Sequence, residues 1–251
     1  MDYSPTLAVG TAGFEILAAL WAFSLVWSRR ASEGRLGGPE RRIAATTGLI
    51  LLLLAGYQMT EVAICIDVGS AGFLPRLAFI IVTWLPALGL LLIAQIQRPR
   101  AASFYAVAAG MLAASAGIVA WISLDAAFAS ASVCNAVYAR YAHAMPRFQI
   151  YGAYYWAGLL GMVLLSGYGL RSGEDVGRRR LQGHVLLGTL GFVLPSIAVS
   201  YAIPTTRNAL PSVLCHFALV LALFLTHMLW ELRARALGAT ELTNSAPGAR
   251  I

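Results

Sequence analysis

Two glutamates, Glu15 and Glu61, stand within long apolar runs that carry no Lys or Arg to pair with them. A charge at mid-bilayer costs about 2.5–3.5 kcal/mol on insertion scales, so such residues face a bundle interior, stay neutral or bind something. At a rise of 1.5 Å per residue, Glu15 falls roughly 12 Å and Glu61 roughly 8 Å below the same end of their helices. Tyr57, Gln58, Glu61 and Cys65 share one helical face by i+3 and i+4 spacing, as do Thr11, Glu15, Ala19 and Ala22 on the preceding helix. A polar stripe then meets a small-residue stripe. Two readings stay open. The pair either glues helices together through hydrogen bonds with Tyr57, Gln58 and nearby hydroxyls, or it lines an outward-facing cavity with His216 that takes a cation, a proton or a small polar ligand.

Cysteine and histidine add a second signal on the same side. Cys65 and Asp67 end one helix, Cys134 and His143 lie in a long connector, and Cys215 and His216 open the last helix. Three outcomes remain: a Cys65 or Cys215 bridge to Cys134 in an oxidising compartment, soft-metal binding by Cys with His143 or His216, or free buried thiols. No C-x-x-C or H-x-x-x-H spacing favours the metal. Haem held by paired histidines is a further option, yet His184 stands at a helix boundary and His227 roughly 8 Å deeper, so the rings do not level. No cofactor is identified on these grounds. Neither a nucleophile elbow nor a metalloprotease helix is present, so no catalytic residue is assigned.

The elements that must position these residues are apolar helices. Hydrophobic residues make up 59% of the 251 and charged residues 12%, against roughly 25% charged in soluble domains. Mean hydropathy is +0.72. A span needs about 20 mainly apolar residues, and seven windows qualify, near 7–28, 44–66, 76–97, 102–124, 149–170, 183–203 and 212–232. Continuous apolar runs favour helices over barrel strands, which alternate. The expected fold is therefore an all-α polytopic bundle: a transmembrane domain over 1–235, then a small, polar, disordered tail over 236–251. The first run, containing Glu15 and lacking a basic leader, reads as a retained helix. Within the helices, Ala106, Gly110, Ala114 and Gly117, with Gly158 and Gly161, read as packing stripes between helices. Pro86 and Pro195 should kink helices 3 and 6. Trp27, Trp121, Trp230, Tyr138, Tyr141 and Tyr151 read as interfacial anchors.

All 18 basic residues are arginine, and the formal charge is +7. They sit in connectors rather than along one soluble face, which excludes a nucleic-acid partner and points to topology. Fourteen, including Arg29, Arg30, Arg41, Arg42, Arg178, Arg179 and Arg180, fall on one side and four, Arg76, Arg140, Arg147 and Arg207, on the other. Positive-inside bias puts the first side in the cytoplasm, hence the amino terminus out and the carboxyl terminus in. The expected partners are the lipid bilayer of an inner membrane and a cytoplasmic protein docking on the arginine-rich loops; oligomeric state is not readable.

Tyr3-Ser4-Pro5 precedes helix 1, Gln58-x-x-Glu61 lies in helix 2, Trp84-Leu85-Pro86 in helix 3 and Val213-Leu214-Cys215-His216-Phe217 in helix 7. This layout resembles an uncharacterised family of bacterial seven-helix membrane proteins built on a Cys-Phe-Ser-like opening, Gln-x-x-Glu, a Trp-Pro helix and a Trp-Cys-Phe helix. Tyr3 replaces the opening Cys and Leu214 the Trp. A looser likeness is to the seven-helix sensory regions ahead of bacterial histidine kinases. The resemblance implies a membrane bundle and supplies no activity. The expectation is a sensing or binding module with an outer-leaflet polar site, the alternatives being a small ion-coupled carrier and a metal- or haem-binding redox protein.

Overall fold

The computed structural model describes residues 5–27, 36–66, 72–97, 101–129, 131–134, 139–142, 145–172, 175–203 and 210–244. Seven helices dominate: α1 (Thr6–Trp27), α2 (Gly38–Ile66), α3 (Phe73–Ile96), α4 (Ala101–Leu124), α5 (Met145–Ser172), α6 (Val176–Ala202) and α7 (Leu210–Asn244). Each contains a stretch long and apolar enough to cross a membrane. Between α4 and α5 lies a small antiparallel hairpin, β1 (Ala131–Cys134) with β2 (Ala139–Ala142), in which Cys134 pairs with Ala139. Composition gave no warning of it, because four-residue strands carry too short an alternation to read.

Packing follows chain order with one closure. Helix α2 lies against α1, α3 and α7, α3 against α4, α5 and α6, and α6 against α7. Leucines including Leu17, Leu20, Leu164 and Leu194 face outward. That inverts the soluble pattern and suits a lipid solvent. Amides fasten the end opposite the hairpin: Gln95 donates to Thr46 Oγ1 at 2.9 Å, Gln97 to Ser172 Oγ at 3.3 Å and Gln182 to the Ile93 carbonyl at 3.2 Å. Where apolar attraction between helices is weak, such bonds and close packing hold them.

Small residues divide into two groups. At Gly158 a Cβ would collide with Pro86, and at Gly161 it would come to 3.3 Å from Leu90, so these glycines seat α5 on α3. Ala106, Gly110, Ala114 and Gly117 are different: they lie on the exposed face of α4, with open space beside both glycines, so they are not an intramolecular stripe. Helix α4 packs inward instead through Phe104, Ala108, Ser115 and Ile122. One turn before Pro86, the Thr83 carbonyl accepts a hydrogen bond from Tyr154 at 2.6 Å, which serves backbone near the helix break.

Helix ends depart most from expectation where polar residues continue the helix. Asp175 caps α6 by accepting from the Gly177 N–H at 2.8 Å, so α6 starts seven residues before the apolar window at 183. Helix α7 runs on to Asn244, past the boundary expected after residue 235. Tyr141 and Tyr151 are buried rather than interfacial, ringed with Phe128 and Phe148 edge-on around Phe79. Trp27 and Trp230 do face outward. Tyr3, Asp67, Tyr138, His143 and the connector arginines Arg29, Arg30 and Arg207 lie outside the described residues.

Candidate functional site

Glu61 is fully buried near the hairpin end of α2. The Ser212 hydroxyl, at the start of α7, lies 2.7 and 2.8 Å from its two oxygens and donates to the carboxyl. The Tyr57 hydroxyl, the Ala139 backbone N–H and the His216 ring also act on this carboxyl. Ser212 links three elements, since its hydroxyl also sits 3.3 Å from the Ala139 N–H of β2. Its carbonyl lies 2.8 Å from His216 Nδ1. A carbonyl only accepts, so Nδ1 carries a proton and donates to it.

A covalent tie holds the hairpin in place. Of the two bridges left open by the sequence, the structure contains Cys65–Cys134, and Cys215 is a buried free thiol. Cys65 is one turn beyond Glu61 on α2 and Cys134 pairs with Ala139, so the bridge keeps the Ala139 N–H over the carboxyl. Tyr57 and Tyr141 hydroxyls meet at 3.1 Å, a second tie from α2 to the hairpin. Gln58 turns to α7, donating to the Cys215 carbonyl at 2.7 Å, while its Oε1 is buried without a partner among the described residues.

Glu15 is treated differently. Its side chain is 0% exposed, and neither carboxyl oxygen has a hydrogen-bond partner among the described residues. It projects from the inward face of α1 that also carries Thr11, Ala12, Ala18, Ala19 and Ala22. The small stripe therefore does face the bundle, packing beside Leu51 of α2 and Ala222 of α7. Both Glu15 and Glu61 lie within electrostatic reach of the Cys215 thiol, so Cys215 stands in the same neighbourhood as the carboxyls.

Two apolar cavities adjoin this region. One, of about 30 Å³, runs between Pro86, Tyr155, Phe192 and Leu214 down to Leu225, and the other, of about 60 Å³, lies between Val82, Phe148, Tyr151 and Trp156. Cys215 borders both, and neither is lined by Glu15 or Glu61. No family model matches this chain, and no curated protein matches it. The site therefore rests on its own geometry.

Tyr57, Gln58, Glu61 and His216 thus share the hairpin end, with His216 half-buried, whereas Glu15 lies on the inward face of α1 without a bond to that network among the described residues. Ser212 and Tyr141 belong to the same network and were missed. Ser212 lies one turn before His216, a spacing that places both on one face, but a lone serine in an apolar run is too common to stand out. Cys65 and Cys134 are spent on the disulfide and Cys215 is sulfur-isolated, while His143 lies outside the described residues.

Proposed function

We propose that this chain is a seven-helix module of a bacterial inner membrane that binds a proton or small cation at the carboxyl pair Glu15 and Glu61 and acts as a sensor. What carries the reading is Glu15: a buried carboxyl with no hydrogen-bond donor among the described residues, in a bundle whose other buried glutamate, Glu61, is served by Ser212. Burying an unpaired charge costs several kcal/mol, so Glu15 must hold a proton or meet a cation. Two buried carboxyls held in unlike surroundings, one with hydrogen-bond donors and one without, can divide those roles between them. The arginine bias supports placing this end on the outer face, in an oxidising compartment that suits the Cys65–Cys134 bridge. The arginines at the other end, Arg179 and Arg180 at the start of α6 among them, are the surface on which a cytoplasmic partner would read the occupancy.

A carrier needs a polar route to the opposite face. Polar side chains do lie there, Gln95, Gln97, Gln182 and Glu231 among them. Between the two ends, however, the small cavity is walled by apolar side chains, Ile50, Leu54, Leu92, Phe192, Leu221 and Leu225 among them. That apolar middle favours a binding module over a carrier.

Thermal-shift measurements over pH, alkali and alkaline-earth cations and ammonium, on wild type, Glu15→Gln and Glu61→Gln, test the reading. A ligand that binds only the folded state stabilises by about 2.7 kcal/mol at a hundredfold excess over its Kd. Expected is a pH- or cation-dependent rise in Tm for wild type that both variants lose. The same dependence in all three proteins removes the carboxyl pair as the site.

A further inference from the structure

On the end opposite the hairpin, α6 and α7 bring two histidines and a carboxylate together. Gly188 and Gly191 set up the approach, since a Cβ on Gly188 would press on Leu221 and Phe224 of α7 at 2.9 and 3.1 Å. One turn before Gly188, His184 then reaches α7, where its ring centroid is 4.8 Å from that of His227. The levels read from the sequence, with His227 well below His184, do not hold. Those levels were counted from windows beginning at 183 and ending at 232, whereas α6 begins at Val176 and α7 continues to Asn244. His184 is two turns inside its helix.

Glu231 follows His227 by four residues, so the two point from one face of α7. Ligand atoms of His184, His227 and Glu231 all lie within 4.8 Å of one another. His184 Nε2 is buried and 3.2 Å from Glu231 Oε1, yet lacks the alignment of a hydrogen bond. Around a tetrahedral zinc with bonds near 2.0–2.1 Å, ligand atoms sit about 3.3 Å apart. Arg235 holds the far oxygen, Glu231 Oε2, at 3.1 Å, which fixes the carboxylate and leaves Oε1 for the histidines. Phe224 lies beside His184 and Trp230 beside His227, and His227 itself is exposed.

We infer that His184, His227 and Glu231 form a binding site for a divalent first-row transition metal of the zinc type. Imidazole nitrogen with one carboxylate oxygen suits zinc and its neighbours and not the hard cations proposed for the hairpin end. The site is separate from the Glu15–Glu61 pair and stands or falls without it. An ion there clamps α6 to α7, and the positive Arg235 on the outer oxygen tempers its affinity.

Metal-stripped protein, purified through a tag without histidine, is titrated with Co2+ and then Zn2+. Expected is one equivalent of Co2+ giving the visible absorption of a low-coordinate nitrogen and oxygen site, displaced by Zn2+. His184→Gln and His227→Gln should each raise the Kd by at least about tenfold, the loss that outer-shell partners alone produce. Circular dichroism establishes that each variant is folded. On wild type, Zn2+ should protect His184 and His227, and not His216, from acylation mapped by mass spectrometry, a readout that no variant has to fold to provide. Absence of stoichiometric Co2+ binding, a Kd unchanged in both variants, or a sulfur-to-cobalt charge-transfer band placing the ion at Cys215 overturns the assignment.

Discussion

At the scale of single residues, Ser212 decides how Glu61 is held. Its hydroxyl meets both carboxyl oxygens and its carbonyl orients His216, so Ser212→Ala strips Glu61 of its closest donor. Leaving a buried polar group unserved costs about 1–3 kcal/mol. Thermal unfolding in detergent should show that loss for Ser212→Ala and most of it restored by Ser212→Thr; an unchanged Tm for the alanine variant would show that Glu61 is served by other groups. Glu15, Glu61, Tyr57, Gln58 and His216 were legible because an acid in an apolar run has no bland surroundings to hide in. Ser212 was not, since hydroxyls within spans bond to their own helix, as Thr60, Thr83 and Ser196 do here. Glu231 escaped notice for another reason. A carboxylate near a span's end reads as solvated, and only the true length of α7 turns His227-x-x-x-Glu231 toward α6.

Elements were legible in number and order and less so at their ends. Apolar windows locate the middle of a span, but a capped polar turn such as Asp175 to Arg180 extends a helix invisibly to hydropathy. Small-residue stripes identify close approach only where a partner exists: Gly158 meets Pro86, whereas Gly117 meets nothing. Gly158→Leu should therefore cost about 1–3 kcal/mol by overpacking, and Gly117→Leu should stay within about 0.5 kcal/mol, both read from unfolding midpoints. Equal effects would mean that α4 and α5 are seated differently. The hairpin gives a second contrast. Cutting its disulfide with Cys65→Ala should speed amide exchange in residues 131–134 and 139–142 far more than in α3, and lower stability by about 2–4 kcal/mol. Unchanged hairpin exchange would leave the cap over Glu61 without its tie.

For the whole molecule, seven apolar helices with outward leucines place the polar clusters at opposite ends of one bundle. The orientation proposed from the arginine split puts the hairpin end outside and the other end in the cytoplasm. Reporter fusions after residues 35 and 175 and at the tail should report the cytoplasm, and fusions after 70 and 140 the outer side; the reverse pattern would move the carboxyl pair inward. The division into a donor-free Glu15 and a donor-rich Glu61 was not legible in the sequence, because it arises from which faces of α1, α2 and α7 meet. That division makes the binding of a proton or cation testable at the carboxyls themselves. Infrared difference spectra of the protein in lipid, recorded across pH and with added cation for wild type, Glu15→Gln and Glu61→Gln, report carboxyl protonation directly. Expected is a carboxyl signal in wild type that each variant diminishes. A wild-type spectrum without carboxyl change, or three identical spectra, would contradict a proton or cation site at Glu15 and Glu61.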